Sequence, residues 1–95
     1  MNVVCYQFSS PTCGPCQLIK PTLESLKEEF SQFTWVSVNV QNDPNNYTQQ
    51  FGVTVVPTMV VAITDSTGKL VSSVKHSGTN IPGYYRALRS SIKYL

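Results

Sequence analysis

The sequence predicts an α/β fold in which a mixed four-stranded sheet carries helices on both faces. Three observations lead there. Segments rich in β-branched and aromatic residues alternate with segments of helical spacing. The first such unit reads strand, helix, strand, which implies parallel strands joined by a right-handed crossover. The last two strand-like segments are separated only by "DSTG", which implies an antiparallel hairpin. The full order is strand, helix, strand, helix, strand, strand, helix.

Residues 2 to 8, "NVVCYQF", show little polar alternation and read as a strand covered on both faces. "SSPT" breaks it. Ile19, Leu23, Leu26 and Phe30 then step by four, three and four, so they share one helical face, with Pro21 expected to kink that helix. "FTWVSVNV", 33 to 40, is the second strand. "QNDPNN" reads as a loop with an Asp or Asn cap before a short helix near 44 to 51, closed by Gly52. "TMVVAIT", 58 to 64, and "KLVSSVKH", 69 to 76, are the hairpin strands, with Gly68 free to take positive φ in the turn. A final helix covers about 80 to 94, with Ile81, Tyr85, Leu88 and Ile92 as its expected buried stripe.

Ninety-five residues suit one domain, 1-95, with a modest core. Seven Lys and Arg against five Asp and Glu leave a formal charge of +2, and the basic residues are scattered. That balance argues against nucleic acid or a membrane surface as partner. The longest apolar run, "MVVAI", is too short to span a bilayer, and "MNVVCYQF" lacks the features of a targeting segment. A cytoplasmic monomer is the expectation. Three cysteines fit poorly with a secreted disulfide framework.

The chemistry concentrates in "SSPTCGPCQLIKP", residues 9 to 21. A close CxxC pair in a reducing compartment is catalytic or metal-binding. Cys13 follows a strand and opens a helix, where free N–H groups and the positive end of the helix dipole stabilise a thiolate. Its pKa is expected below ~8.5. Cys16, one turn further in, reaches the same sulfur from a more shielded place. This separates an exposed nucleophile from a resolving thiol. Pro15 suits a first turn, where its missing N–H costs nothing. A structural zinc site needs four ligands, and only Cys5 and His76 remain, so no metal is expected. Cys5 reads as a core thiol, Trp35 as core or sheet-face packing and His76 as a solvated or capping residue. Tyr85 reads as core and Tyr84 as surface, and Arg86, Arg89 and Lys93 read as a solvated face.

"CGPC" after a buried strand, Pro21 in the next helix, "VVPT" before the third strand and "SG" after the fourth resemble the thioredoxin family over nearly the whole chain. The chain begins at the strand leading into the motif, without the strand and helix that precede it in full thioredoxins, so the shorter core seen in glutaredoxins is expected. The CGPC spelling is thioredoxin-like, unlike the glutaredoxin CPYC. The resemblance implies a thioredoxin fold and a dithiol–disulfide oxidoreductase that reduces disulfide-containing proteins and needs no cofactor. Cys13 would attack the partner disulfide and Cys16 would release the reduced partner. Pro57 would be cis and close to Cys13, and would keep metal off the thiols. The Val56 backbone would pair with an extended substrate segment, and Gly78 would leave room for it. Thr12, Gly14 and Pro15 complete the expected contact surface. Electrons would come from a thioredoxin reductase or from glutathione. The rival expectations are a glutaredoxin-like donor, for example to ribonucleotide reductase, and a redox-independent binding module.

Two places depart from the family. Thr12 stands where thioredoxins usually carry Trp, which removes an aromatic platform. Gln7 and Ser37 stand where the family has a buried Asp and a nearby Lys. The exchange avoids burying charge, and it removes a candidate base for Cys16, so slower resolution of the mixed disulfide is expected.

Overall fold

A computed structural model describes all residues, 1–95. Its elements are β1 (Asn2–Ser9), α1 (Gly14–Glu29), β2 (Thr34–Asn39), α2 (Tyr47–Gln50), β3 (Thr58–Thr64), β4 (Leu70–Ser77) and α3 (Ile81–Ser91), with a closing 3₁₀ turn (Ile92–Tyr94). The sheet order is β2-β1-β3-β4, with β1 and β2 parallel and the other two pairs antiparallel. This is the mixed sheet that the pattern predicts.

Strand positions follow from what each face must cover. Val3 and Cys5 of β1 and Met59, Val61 and Ile63 of β3 face α1 and α3 in the larger core. Phe8, Val38, Val53 and Val60 form a smaller core on the other face, beside α2. There Tyr6 packs against Tyr47 and Phe51 at 4.8 Å between ring centres in each case. With helices on both sides, β3 is buried at every residue except its last, which is why it reads as an unbroken apolar run. β4, at the edge, alternates.

The expected face of α1 is correct: Ile19, Leu23, Leu26 and Phe30 are all buried. α1 runs unbroken through Pro21. α2 is shorter than expected, and its cap is Asp43 rather than the N-cap residue Asn46, which has φ 56° and makes no side-chain bond. Asp43 Oδ2 accepts the Thr48 N–H at 2.7 Å. That bond holds the Asp43 carboxyl below its usual value.

α3 corrects the sequence reading. Tyr84 is 1% exposed, while Tyr85 is half-buried and Ile92 is 44% exposed. The buried residues are Gly83, Tyr84, Ala87, Leu88 and Ser91. The small side chains Gly83, Ala87 and Ser91 recur every four residues and let the helix approach the sheet closely. Gly83 sits against the His76 ring, and a Cβ there would collide with it. His76 therefore lies between β4 and α3, its ring edge-on to Tyr84 at 4.5 Å and its Nε2 2.9 Å from Asn80 O. It is half-buried, rather than the solvated or capping residue that the sequence predicts. Trp35 packs against the larger core and donates its Nε1–H to Phe30 O at 3.0 Å. Cys5 is fully buried, and that burial raises its thiol pKa to about 12.

Candidate active site

Cys13 is the N-cap of α1, with extended backbone at φ −89° and ψ 107°. Its Sγ accepts the Cys16 N–H at 3.1 Å, which occupies one of the orphan donors of the first helical turn. The loop before it is tied down by polar side chains. Ser10 O accepts the Cys13 N–H at 3.2 Å. Ser10 Oγ and Thr12 Oγ1 are 3.0 Å apart, and Gln41 Nε2 donates to both, at 3.1 and 3.0 Å. Thr12 is exposed, yet its hydroxyl is engaged in this network. Gln41 is a neighbour of the cysteine motif that the sequence does not reveal, because its reach across from the loop after β2 leaves no local signal.

Cys13 and Cys16 are joined in a disulfide, with Cα atoms 5.2 Å apart. Cys13 is partly exposed, and Cys16 is only 6% exposed. The inequality follows from the helix: the cap faces solvent, and one turn later the side chain faces the sheet. In the reduced pair the Cys16 N–H and the helix dipole favour negative charge on Cys13. Gly14 and Pro15 are exposed between them, and a Cβ on Gly14 would meet nothing within 4 Å.

The Val56–Pro57 peptide is cis. Val56 O lies 3.7 Å from Cys13 Sγ. Neither Val56 N–H nor Val56 C=O bonds to another backbone group, so this residue presents free strand-like edges beside the sulfur. The loop is fixed from behind. Thr58 Oγ1 donates to Val55 O at 2.7 Å and lies 2.7 Å from Ser77 Oγ. Gly78 N–H donates to Pro57 O at 2.9 Å. Gly78 has φ +98°, which only glycine adopts cheaply, and nothing lies within 4 Å of where its Cβ would be. Tyr84 OH donates to Gly78 O at 2.6 Å. Burial raises the Tyr84 pKa to about 12. Tyr84 and Thr58 were not among the sequence-predicted site residues. The Thr in "VVPT" was a usable signal, whereas Tyr84 was hidden by the misread face of α3.

Behind Cys16 lies a cavity of 190 Å³ that reaches Gln7, Ser37, Pro57 and Tyr84. Gln7 and Ser37 are register partners on β1 and β2, so the two departures from the family pattern meet there. Gln7 Oε1 is buried and has no hydrogen-bond partner. The strands bring no charge to this space, but α1 does: Lys20, Glu24 and Lys27 all line it. Lys27 Nζ is 3.3 Å from Glu24 Oε1 and donates to Ser37 Oγ at 3.5 Å. No three His, Cys, Asp or Glu side chains come together as a metal cluster. No helix is long and apolar enough to cross a membrane.

The chain is similar to known proteins. Residues 1–80 match the Thioredoxin family model. Thioredoxin of Chlamydia caviae is 36% identical over 60 residues, covering 63% of this chain and 58% of that protein. The chain spans little more than half the length of that curated relative. The structure of Fasciola hepatica thioredoxin aligns with a TM-score of 0.77 at 28% identity, over 94% of this chain and 80% of that one. Thioredoxin from Trypanosoma brucei brucei aligns with a TM-score of 0.78 at 26% identity, over 97% and 76% respectively.

Proposed function

The chain belongs to the thioredoxin family, and from that premise we propose that it reduces protein disulfides by thiol–disulfide exchange through Cys13 and Cys16. The observation that carries the reading is the disulfide at the start of α1, partly exposed at Cys13 and shielded at Cys16.

In the reduced protein the Cys13 thiolate attacks one sulfur of a partner disulfide. A Cys13–partner bond forms and the other partner sulfur leaves as a thiolate. Cys16 then attacks Cys13 Sγ, closes the intramolecular disulfide and releases the partner's second thiolate. Val56 pairs through its free backbone groups with an extended stretch of the partner. Pro57 and Gly78 shape the floor of that contact, and Thr12, Gly14 and Pro15 form its rim. Support comes from the 3.7 Å approach of Val56 O to Cys13 Sγ and from the open space over Gly78. Residues 1–95 act as one domain, monomeric and cytoplasmic, and without a bound cofactor. Reducing equivalents come from a thioredoxin reductase or from glutathione. Neither a glutaredoxin-type donor nor a redox-independent docking module is favoured by any observation, since the family match is to thioredoxins.

The test is trapping. Cys16→Ser, mixed with a disulfide-containing protein such as insulin, should accumulate a mixed disulfide on Cys13, visible by mass spectrometry. Cys13→Ser should trap nothing and reduce nothing. Equal trapping by the two variants would contradict the assignment of roles.

A further inference from the structure

Resolution by Cys16 needs a proton acceptor, and the neutral Gln7 is not one. This inference rests on the exchange reading above. The cavity behind Cys16 has a wall on α1 that runs from Cys16 past Lys20 and Glu24 to Lys27. At ~1.5 Å per residue, eight residues put Glu24 about 12 Å along the axis from Cys16, and helical side chains lean back toward the N-terminus. That leaves a gap suited to water. The cavity's 190 Å³ has room for it, since each water needs about 30 Å³ and two to four polar partners. Gln7 Oε1, buried there with no partner, lacks a donor that such a water supplies. Glu24 has a side chain 53% exposed, so it exchanges protons with bulk solvent.

We propose that Glu24 takes the proton of Cys16 through water held on Gln7 Oε1. The water on Gln7 receives the Cys16 S–H proton, and a second water in the cavity, hydrogen-bonded to the first, passes one to the Glu24 carboxylate. The Cys16 thiolate attacks Cys13 Sγ, the Cys13–Cys16 bond forms and the Cys13–partner bond breaks. The electron pair leaves on the partner sulfur, which takes its proton from solvent as Glu24 returns its own. Glu24 acts through water and never touches sulfur, so it is a positioning residue for the proton. The other charged or titratable groups facing the cavity are Lys20 and Lys27 from α1 and Tyr84 from α3; β1 and β2 add only neutral Gln7, Ser9 and Ser37 beside Phe8.

The experiment is a single turnover of the reduced protein with 5,5′-dithiobis(2-nitrobenzoate). The first thionitrobenzoate released reports attack by Cys13, and the second reports resolution by Cys16. Glu24→Gln should leave the first release intact and slow the second about tenfold at pH 7. The deficit should close as pH rises past ~8.5, where thiols ionise unaided. Gln7→Asp in the Glu24→Gln background should restore the second release by supplying the missing carboxylate from β1, whereas the closing of the deficit at high pH is what a merely structural role for Glu24 would not produce. Lys27→Met removes the same ion pair and keeps the carboxylate, so its second release should stay within about twofold, as surface pairs contribute little. An unchanged second release in Glu24→Gln, a deficit equal at every pH, or a tenfold loss in Lys27→Met overturns the proposal while leaving the exchange reading standing. Absence of the first release from the unaltered protein overturns both.

Discussion

The Tyr84 hydroxyl donates to Gly78 O at 2.6 Å, so a helix on one face of the sheet holds the loop that faces Cys13. Gly78 in turn donates to Pro57 O. Tyr84→Phe removes the donor and leaves a carbonyl unsatisfied, at a cost of about 1–2 kcal/mol. For a domain of this size that lowers Tm by about 5 °C or more. A thermal melt checks it, and an unchanged Tm would show that the bond contributes nothing.

Gly78→Ala puts a side chain at φ +98°. The expected cost is about 1–3 kcal/mol, from backbone strain alone, because no atom blocks the new methyl. Urea denaturation should show a lower midpoint with an unchanged slope. On the proposed partner contact, reduction of insulin should slow as well. A variant as stable as the parent would contradict the strain.

The orientation of α3 is tested by a pair of truncations. Leu88→Ala, at a fully buried site, should cost about 2–5 kcal/mol. Ile92→Ala, at a residue 44% exposed, should cost under about 1 kcal/mol. The reverse order would restore the face that simple apolar spacing predicts.

Alkaline pH should destabilise the fold in a defined window. Cys5 is raised from 9.0 to about 12 and Tyr84 from 10.0 to about 12, both chiefly by burial. In each case the unfolded chain ionises first. The stability these groups contribute is whole below about pH 9 and is lost progressively up to about pH 12. Cys5→Val should flatten the lower part of that loss. On the acid side, Asp43 and Asp65 are lowered from 3.8, first by the Thr48 N–H and by the Thr67 hydroxyl respectively. Their contribution is present above about pH 3.8 and fades as pH falls through the lowered values. Denaturation midpoints from pH 3 to pH 11 check both limbs.

Alkylation separates the three thiols. In the reduced native protein at pH 8, iodoacetamide should modify Cys13 fastest and Cys16 slowly, and should leave Cys5 untouched until denaturant is added. Mass spectrometry of timed quenches reads the order. Early labelling of Cys5 would contradict its burial.

Much of this molecule is legible in its residues. β-branched runs mark the strands because such side chains suit a sheet covered on both faces, and β3 falls on its expected residues. The stripe from Ile19 to Phe30 marks the buried face of α1 because large apolar side chains carry it. The face of α3 is less legible for the opposite reason: Gly83, Ala87 and Ser91 allow close packing by being small, and apolar spacing gives them no weight. The pairing of Cys13 with Val56, 43 positions away, follows from family resemblance alone, as no local signal spans that distance. Gln7 and Ser37 suggest a site emptied of charge. Yet Glu24 and Lys27 bring charge to the same cavity from the neighbouring helix, a substitution visible only once the layers are stacked.

The most direct test of the exchange chemistry is the reduction potential of the Cys13–Cys16 pair, measured by equilibration in defined thiol buffers with mass-spectrometric counting of thiols. The proposed reductive role predicts a value near or below about −240 mV. A value near about −180 mV or higher, the range of isomerases and oxidants, would contradict the reductive assignment, and a pair that never closes in any buffer would contradict exchange altogether.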